Sequence, residues 1–141
     1  MWSFTTQKLS QAKDIRLKRQ VPKGYYKGKI YKAEPAIKDP NLIKFGIRII
    51  EGEYTGIFVN DVLKMASAVE NEGNIAFWRS ALLSCGHSEE AISQPDFEIT
   101  QDHFLEKECF IHWTPKAADP KASHDSIKFL RPSIWNEEAN V

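Results

Sequence analysis

The sequence predicts a mainly β domain of five strands with a helical insert after the third. Three observations predict it. Residues alternate in character over 25–36, 43–50 and 57–60, with turn residues between the runs. From Val62 to Cys85 the spacing changes to the i, i+3, i+4 period of a helix. Alternation then returns at 109–113 and 127–130.

Residues 1–21 read as a basic arm outside this domain. Gln7 to Gln20 has no Gly or Pro, carries a weak helical stripe at Leu9, Ala12, Ile15 and Arg16, and ends in the cluster Arg16 to Arg19. Pro22 and Gly24 punctuate it. The first strand, Tyr25–Ala36, places Tyr25, Lys27, Lys29, Tyr31 and Ala33 on one face and Tyr26, Gly28, Ile30, Lys32 and Glu34 on the other. Asp39-Pro-Asn41 is a turn signal. The second strand sets Ile43, Phe45, Ile47 and Ile49 against Lys44, Gly46, Arg48 and Ile50. A turn over Glu51–Gly56 leads to the third strand, Ile57–Asn60.

A helix is expected from Asn60 or Asp61, with Val62, Met65, Ala66 and Val69 on one face and Gly73 stopping it. Asn74 then caps a second helix, whose stripe is Ile75, Trp78, Leu82 and Cys85 and whose end is Gly86. Ser88–Ser93 adds a short turn before Pro95, and Thr100 caps another ending near Leu105. In the fourth strand Cys109, Ile111 and Trp113 oppose Phe110 and His112. A loop over 115–125 leads to the last strand, Ile127–Leu130. Pro132 ends the ordered domain, 22–132, and residues 133–141 form a short tail, acidic at Glu137 and Glu138. Five strands with a helical connection after the third fit a small closed barrel of the OB type. An open α+β sheet with helices on one face is the alternative.

Composition narrows the function classes. The chain has 141 residues, 42% hydrophobic and 27% charged, as one ordinary soluble domain has. No apolar run approaches the roughly 18 residues of a membrane span, and no signal-peptide block opens the chain. Cys85 and Cys109 are too few for a disulfide framework, which points to a reducing compartment. Phosphate-cradling, nucleophile-elbow and zincin motifs are lacking. The carboxylate pairs, such as Glu51 with Glu53 and Glu106 with Glu108, flank turns and helix ends, where solvated charge is ordinary. Cys109 and His112 are three apart on a strand and point to opposite faces, so zinc ligation is not expected. The reading is a non-enzyme without cofactor or metal.

The zero net charge hides an asymmetry. Residues 1–48 carry twelve basic and three acidic side chains, and the remainder seven basic and sixteen acidic. On the first two strands the cations interleave with aromatic residues: Tyr25, Lys27, Lys29 and Tyr31, beside Lys44 and Arg48. Cations displace counterions from a phosphate backbone, and rings offer platforms for unpaired bases. Bases inside a duplex present no free face, so the pairing suits single strands.

Two patterns carry a resemblance: Pro22-x-Gly-x-Tyr-x-x-x-Ile30-x-x-Ala33, then Ile47-x-Ile-x-Glu-Gly-Glu-Tyr-x-Gly56. The chain resembles a family of small phage-encoded single-stranded DNA-binding proteins with an OB fold, associated with recombination and replication genes. Leu82-x-x-x-Gly86 and Leu105-x-Lys-x-Cys-x-Ile-x-Trp113 are similar to its helical insert and fourth strand. The likeness covers about residues 22–131 and departs at Glu106, where the family often has Gly. It implies that Tyr26, Gly28 and Ile30 face the core with Cys109, Ile111 and Trp113, leaving Tyr25, Lys27, Lys29, Tyr31, Phe110 and His112 outside.

The expected function is largely sequence-independent binding of single-stranded DNA in phage replication or recombination, in the cytoplasm of a bacterial host. Lys27, Lys29, Lys44 and Arg48, with Lys128 as a weaker candidate, would neutralise phosphates. Tyr25, Tyr31, Phe110, Tyr54 and His112 would stack on bases. Phage or host replication and recombination proteins are further expected partners, with a homodimer left open, and the acidic tip would recruit them or shield the groove. The alternative function is an OB-fold module that binds a replication or recombination enzyme.

Overall fold

A computed structural model describes residues 1–12, 20–64 and 72–140. Its centre is β1 (Gly24–Pro35), which pairs antiparallel with β2 (Leu42–Ile49) on one side and with β4 (Glu108–Thr114) on the other. Beyond β2 lies β3 (Phe58–Lys64), and beyond β4 lies β5 (Ser126–Phe129). The order β3-β2-β1-β4-β5 makes one five-stranded antiparallel sheet with β3 and β5 as its edges.

One face of the sheet buries the core under α1 (Glu72–Ser84). Phe45 is the hub: the rings of Trp78, Phe104 and Phe129 stand 5.8, 5.4 and 5.5 Å from it, each inclined toward the edge-on arrangement that aromatic quadrupoles favour. Ile30, Ile47, Ile49, Cys109 and Ile111 are fully buried around it. The inward faces expected for β2 and β4 are therefore the observed ones. Val21 is buried too, and its carbonyl accepts a 2.9 Å bond from Trp113 Nε1.

Strict alternation fails in β1. Ile30 pairs with Ile47 but Lys32 with Gly46, so Tyr31 is an extra residue with no partner. Such a bulge reverses the inside–outside phase of the residues after it. Ala33, expected beside Tyr31 on the outer face, is buried, and Lys32 and Glu34, expected on the inner face, form a 3.2 Å ion pair between exposed side chains. Across the strand, the N–H of Ile30 donates to the Lys107 carbonyl and the N–H of Glu106 donates to that of Ile30. This pairing holds Glu106 at φ +64, the left-handed region that favours glycine. Glu106 meets Lys29 at 3.3 Å instead.

The insert differs from expectation at its start. Residues 60–64 extend β3 as far as the Leu42–Lys64 pair, so no helix starts at Asn60 or Asp61. The open edge of β2 supplies backbone partners along this length, and the ladder overrides the helical stripe begun by Val62. Met65, Ala66 and Val69 lie outside the described residues. Gly73 and Asn74 both lie inside α1, so Gly73 stops no helix and Asn74 caps none. The far end agrees: Gly86 adopts φ +91, its N–H reaches the Leu83 carbonyl, and that of His87 reaches Leu82. The buried Ser84 hydroxyl donates to the Phe110 carbonyl at 2.7 Å and accepts from the Phe110 N–H at 2.8 Å, fastening α1 to β4.

The chain after Pro132 is no tail. Pro132–Ala139 is a helix, α3, with Pro at its first turn, where a missing N–H costs nothing. Between α1 and β4, α2 (Glu89–Ile92) is capped by the Ser88 hydroxyl. Glu89 bonds Arg79 of α1 at 3.1 Å and Arg131, just before α3, at 2.8 Å, and these two guanidiniums hold its carboxyl below the ordinary range.

No backbone ladder joins β3 to β5, so among the described residues the sheet is not a closed barrel. A side chain spans the seam instead: Asp61 Oδ2 accepts from the Ile127 N–H at 2.7 Å, and its Oδ1 from the Val62 N–H at 2.7 Å. Burial raises this carboxyl above its ordinary 3.8 in spite of the two donors. A folded-state pKa above the unfolded one means that stability falls as pH rises through the interval just above 3.8. Asp61→Ala is expected to cost about 1–3 kcal/mol at neutral pH, because two backbone donors lose their acceptor. Asp61→Asn keeps one acceptor, costs less, and removes this part of the pH dependence. Urea unfolding of the three proteins at pH 3.5 and pH 7 checks both statements.

Candidate nucleic-acid interface

The outer face of the sheet gathers most of the residues singled out in the sequence. The pairing Arg48–Lys29–Glu108 forms one row across β2, β1 and β4, and Tyr25–His112–Lys128 forms another across β1, β4 and β5. Lys27 lies opposite Phe110 between them. The face divides into an open half and a covered half.

The open half is built on the bulge. Released from the ladder, Tyr31 lies over Gly46, where any Cβ would collide with the Tyr31 ring. Its hydroxyl donates to Asn60 Oδ1 at 3.1 Å, and the Phe58 ring meets it edge-on at 4.7 Å. The two rings remain 41% and 51% exposed, far more than rings recruited to a core. Lys44 and Arg48 are exposed on β2 beside them, with no ion pair among the described residues. Next to Tyr31 a cleft of about 590 Å3 is lined by Lys32, Lys44, Asn60, Asp61 and His124. A second, of about 780 Å3, lies between β3 and the 115–125 loop, with Phe58, Trp113 and Lys116 among its walls.

The covered half lies under α3. Trp135 packs on Phe110 at 5.2 Å and donates from Nε1 to the Ile111 carbonyl at 3.2 Å. Tyr25 stacks obliquely on His112 at 4.6 Å and donates its hydroxyl to Glu138 at 3.0 Å. That bond to a carboxylate raises the Tyr25 phenol. Burial lowers the His112 imidazole, and Lys23 and Lys128 push it further the same way, so this ring is neutral at pH 7. Lys27 sits 5.5 Å over the Phe110 ring and 3.4 Å from Glu51. Its pair, like that of Lys29 with Glu106, is a surface ion pair of about 0–1 kcal/mol, which a phosphate can displace.

One predicted residue lies elsewhere. Tyr54 meets Tyr26 edge-on at 6.0 Å and packs against the core from the 51–56 turn, away from the outer-face residues. Sequence reasoning misses Phe58 and Asn60, because the helix expected from Asn60 hides the alternation Phe58, Asn60, Val62. It misses Trp135 because Pro132 reads as the end of the ordered chain.

The thiols carry no such chemistry. Cys109 is buried on the core face, opposite His112, and burial pushes Cys85 up to about 12. Among the described residues no three His, Cys, Asp or Glu side chains converge as a metal site. Among known proteins, neither the family models nor the curated sequences searched match this chain.

Packing and platform separate in three variants. Gly46→Ala is expected to displace the Tyr31 ring and expose it further while the core stays intact. Tyr31→Ala should cost under about 1 kcal/mol of stability, since its ring is partly solvated. Tyr26→Ala, which removes a ring packed on the core, should cost about 3 kcal/mol. Thermal melts of the three give the order.

Proposed function

We propose that this protein binds single-stranded DNA without catalysis and with little sequence preference. The observation that carries the reading is the open half-site: an exposed Tyr31–Phe58 pair on β1 and β3, flanked by Lys29, Lys44 and Arg48. Rings held by neighbours lose little entropy when a base stacks on them, and the cations track the phosphates. Its fold reading is an OB-type barrel opened along one seam. The strand order β3-β2-β1-β4-β5 supports this, as does the Asp61 bridge between its two edges. In that fold the face of the second and third strands, with the loops after the first and fourth, binds oligonucleotides. Here those elements carry Phe58, Lys44, Arg48 and the two clefts. The motif likeness to phage single-stranded DNA-binding proteins points the same way, toward work in replication or recombination inside a bacterial host.

Titration of labelled oligo-dT and of an equal-length duplex at two salt concentrations tests the proposal. Tighter binding of oligo-dT is expected, with a log–log salt slope of about −3 if Lys27, Lys29, Lys44 and Arg48 each neutralise one phosphate. A flat salt response, or equal affinity for the duplex, rejects it. The alternative, a module that binds a protein partner, draws on the unpaired edge of β3 beside the larger cleft, a ready template for strand addition. That reading predicts no salt-dependent binding to either oligonucleotide.

The covering helix has a consequence for affinity. No residue of α3 is buried, and an eight-residue helix has little stability of its own. Deleting residues 132–141 is expected to uncover Tyr25, Phe110 and His112 and to tighten oligo-dT binding severalfold at low salt. Weaker binding by the truncated chain would make α3 part of the contact surface rather than its cover.

A further inference from the structure

The first residues hold an aromatic pair that the domain does not use. Met1 to Thr6 forms neither helix nor turn, and Trp2 and Phe4, two apart, set their rings side by side. The rings are nearly parallel, 19° apart, with centroids at 5.9 Å. Trp2 is 82% and Phe4 76% exposed, and no residue of 1–12 is buried. Two large rings left in water by a segment with no buried residue mark a contact surface.

The composition around them selects the partner. Residues 1–20 carry Lys8, Lys13, Arg16, Lys18 and Arg19 against Asp14 alone. A hydrophobic groove on a protein would take the rings but leave five cations without a role. A duplex would take the cations but offer no base face to the rings. An unpaired strand uses both. The exposed faces of the two rings are what a base can stack on.

We propose that Trp2 and Phe4 form a second stacking station for single-stranded nucleic acid, offering their exposed faces to an unpaired base beside the Lys8 cation. The proposal rests on the function given above and adds to it a contact outside the sheet. The seventeen Cα–Cα steps from Phe4 to Val21 are long enough to let one strand reach both sites.

The test uses the full chain and labelled oligo-dT. Trp2→Ala combined with Phe4→Ala is expected to weaken binding fivefold or more, the loss of one base–aromatic stack. Its salt slope and melting temperature should match the parent's, because no cation and no core contact is removed. Trp2→Phe keeps a ring and should keep most of the affinity, while losing the part of the tryptophan quenching by oligo-dT that belongs to Trp2. If the parent binds oligo-dT and the double variant binds equally well, the second station is overturned and the proposed function stands. If the parent itself binds no oligo-dT, the proposed function falls and takes the station with it. If the parent sediments as a dimer and the double variant as a monomer of equal affinity per chain, the rings serve self-association and the proposal is overturned.

Discussion

One extra residue in β1 governs both faces of the sheet. Without the bulge, alternation would bury Gly28, Ile30, Lys32 and Glu34 together, placing two charges in the core. With it, the phase turns over at Tyr31, so that Ile30 and Ala33 both point inward and Lys32 and Glu34 stay in water. The residue left over is the one that Gly46, Phe58 and Asn60 position as a half-exposed platform. Core formation and the candidate site therefore share a cause. Gly46 serves both, since only a residue without Cβ lets a ring lie so close to the β2 backbone.

The same economy holds at the edges. A five-stranded sheet in this order leaves two edges, each a row of unsatisfied backbone groups. At the seam between them the Asp61 side chain of β3 reaches across to the Ile127 N–H of β5. The Asp61 carboxylate does so at a desolvation cost that raises its pKa. A side chain thus substitutes for part of a backbone ladder, and two clefts lie along β3 and the 115–125 loop.

The outer face is rich in charge and partly self-occupied. Glu51, Glu106 and Glu138 occupy Lys27, Lys29 and Tyr25, so the acidic remainder of the chain neutralises part of its basic first third at close range. Solvated contacts of this kind are weak and exchange readily with phosphate. Lys44, Arg48, Tyr31 and Phe58 remain uncovered.

Period-two patterning alone sorted the residues of β2 and β4 into two opposite faces, because in a paired strand side-chain direction follows residue parity. It also named most of the basic and aromatic residues of the outer face, though it missed Phe58 and wrongly included Tyr54. It could not reveal the bulge, since parity carries no mark of where a ladder slips. Nor could it end the helical stripe of Val62, Met65, Ala66 and Val69, because local period is blind to the open edge of β2 that drew residues 60–64 into a strand. Only tertiary structure decided those points. It also decided that Trp135 and Glu138 lie on Phe110 and Tyr25, contacts between residues more than twenty positions apart that depend on which strands happen to be neighbours.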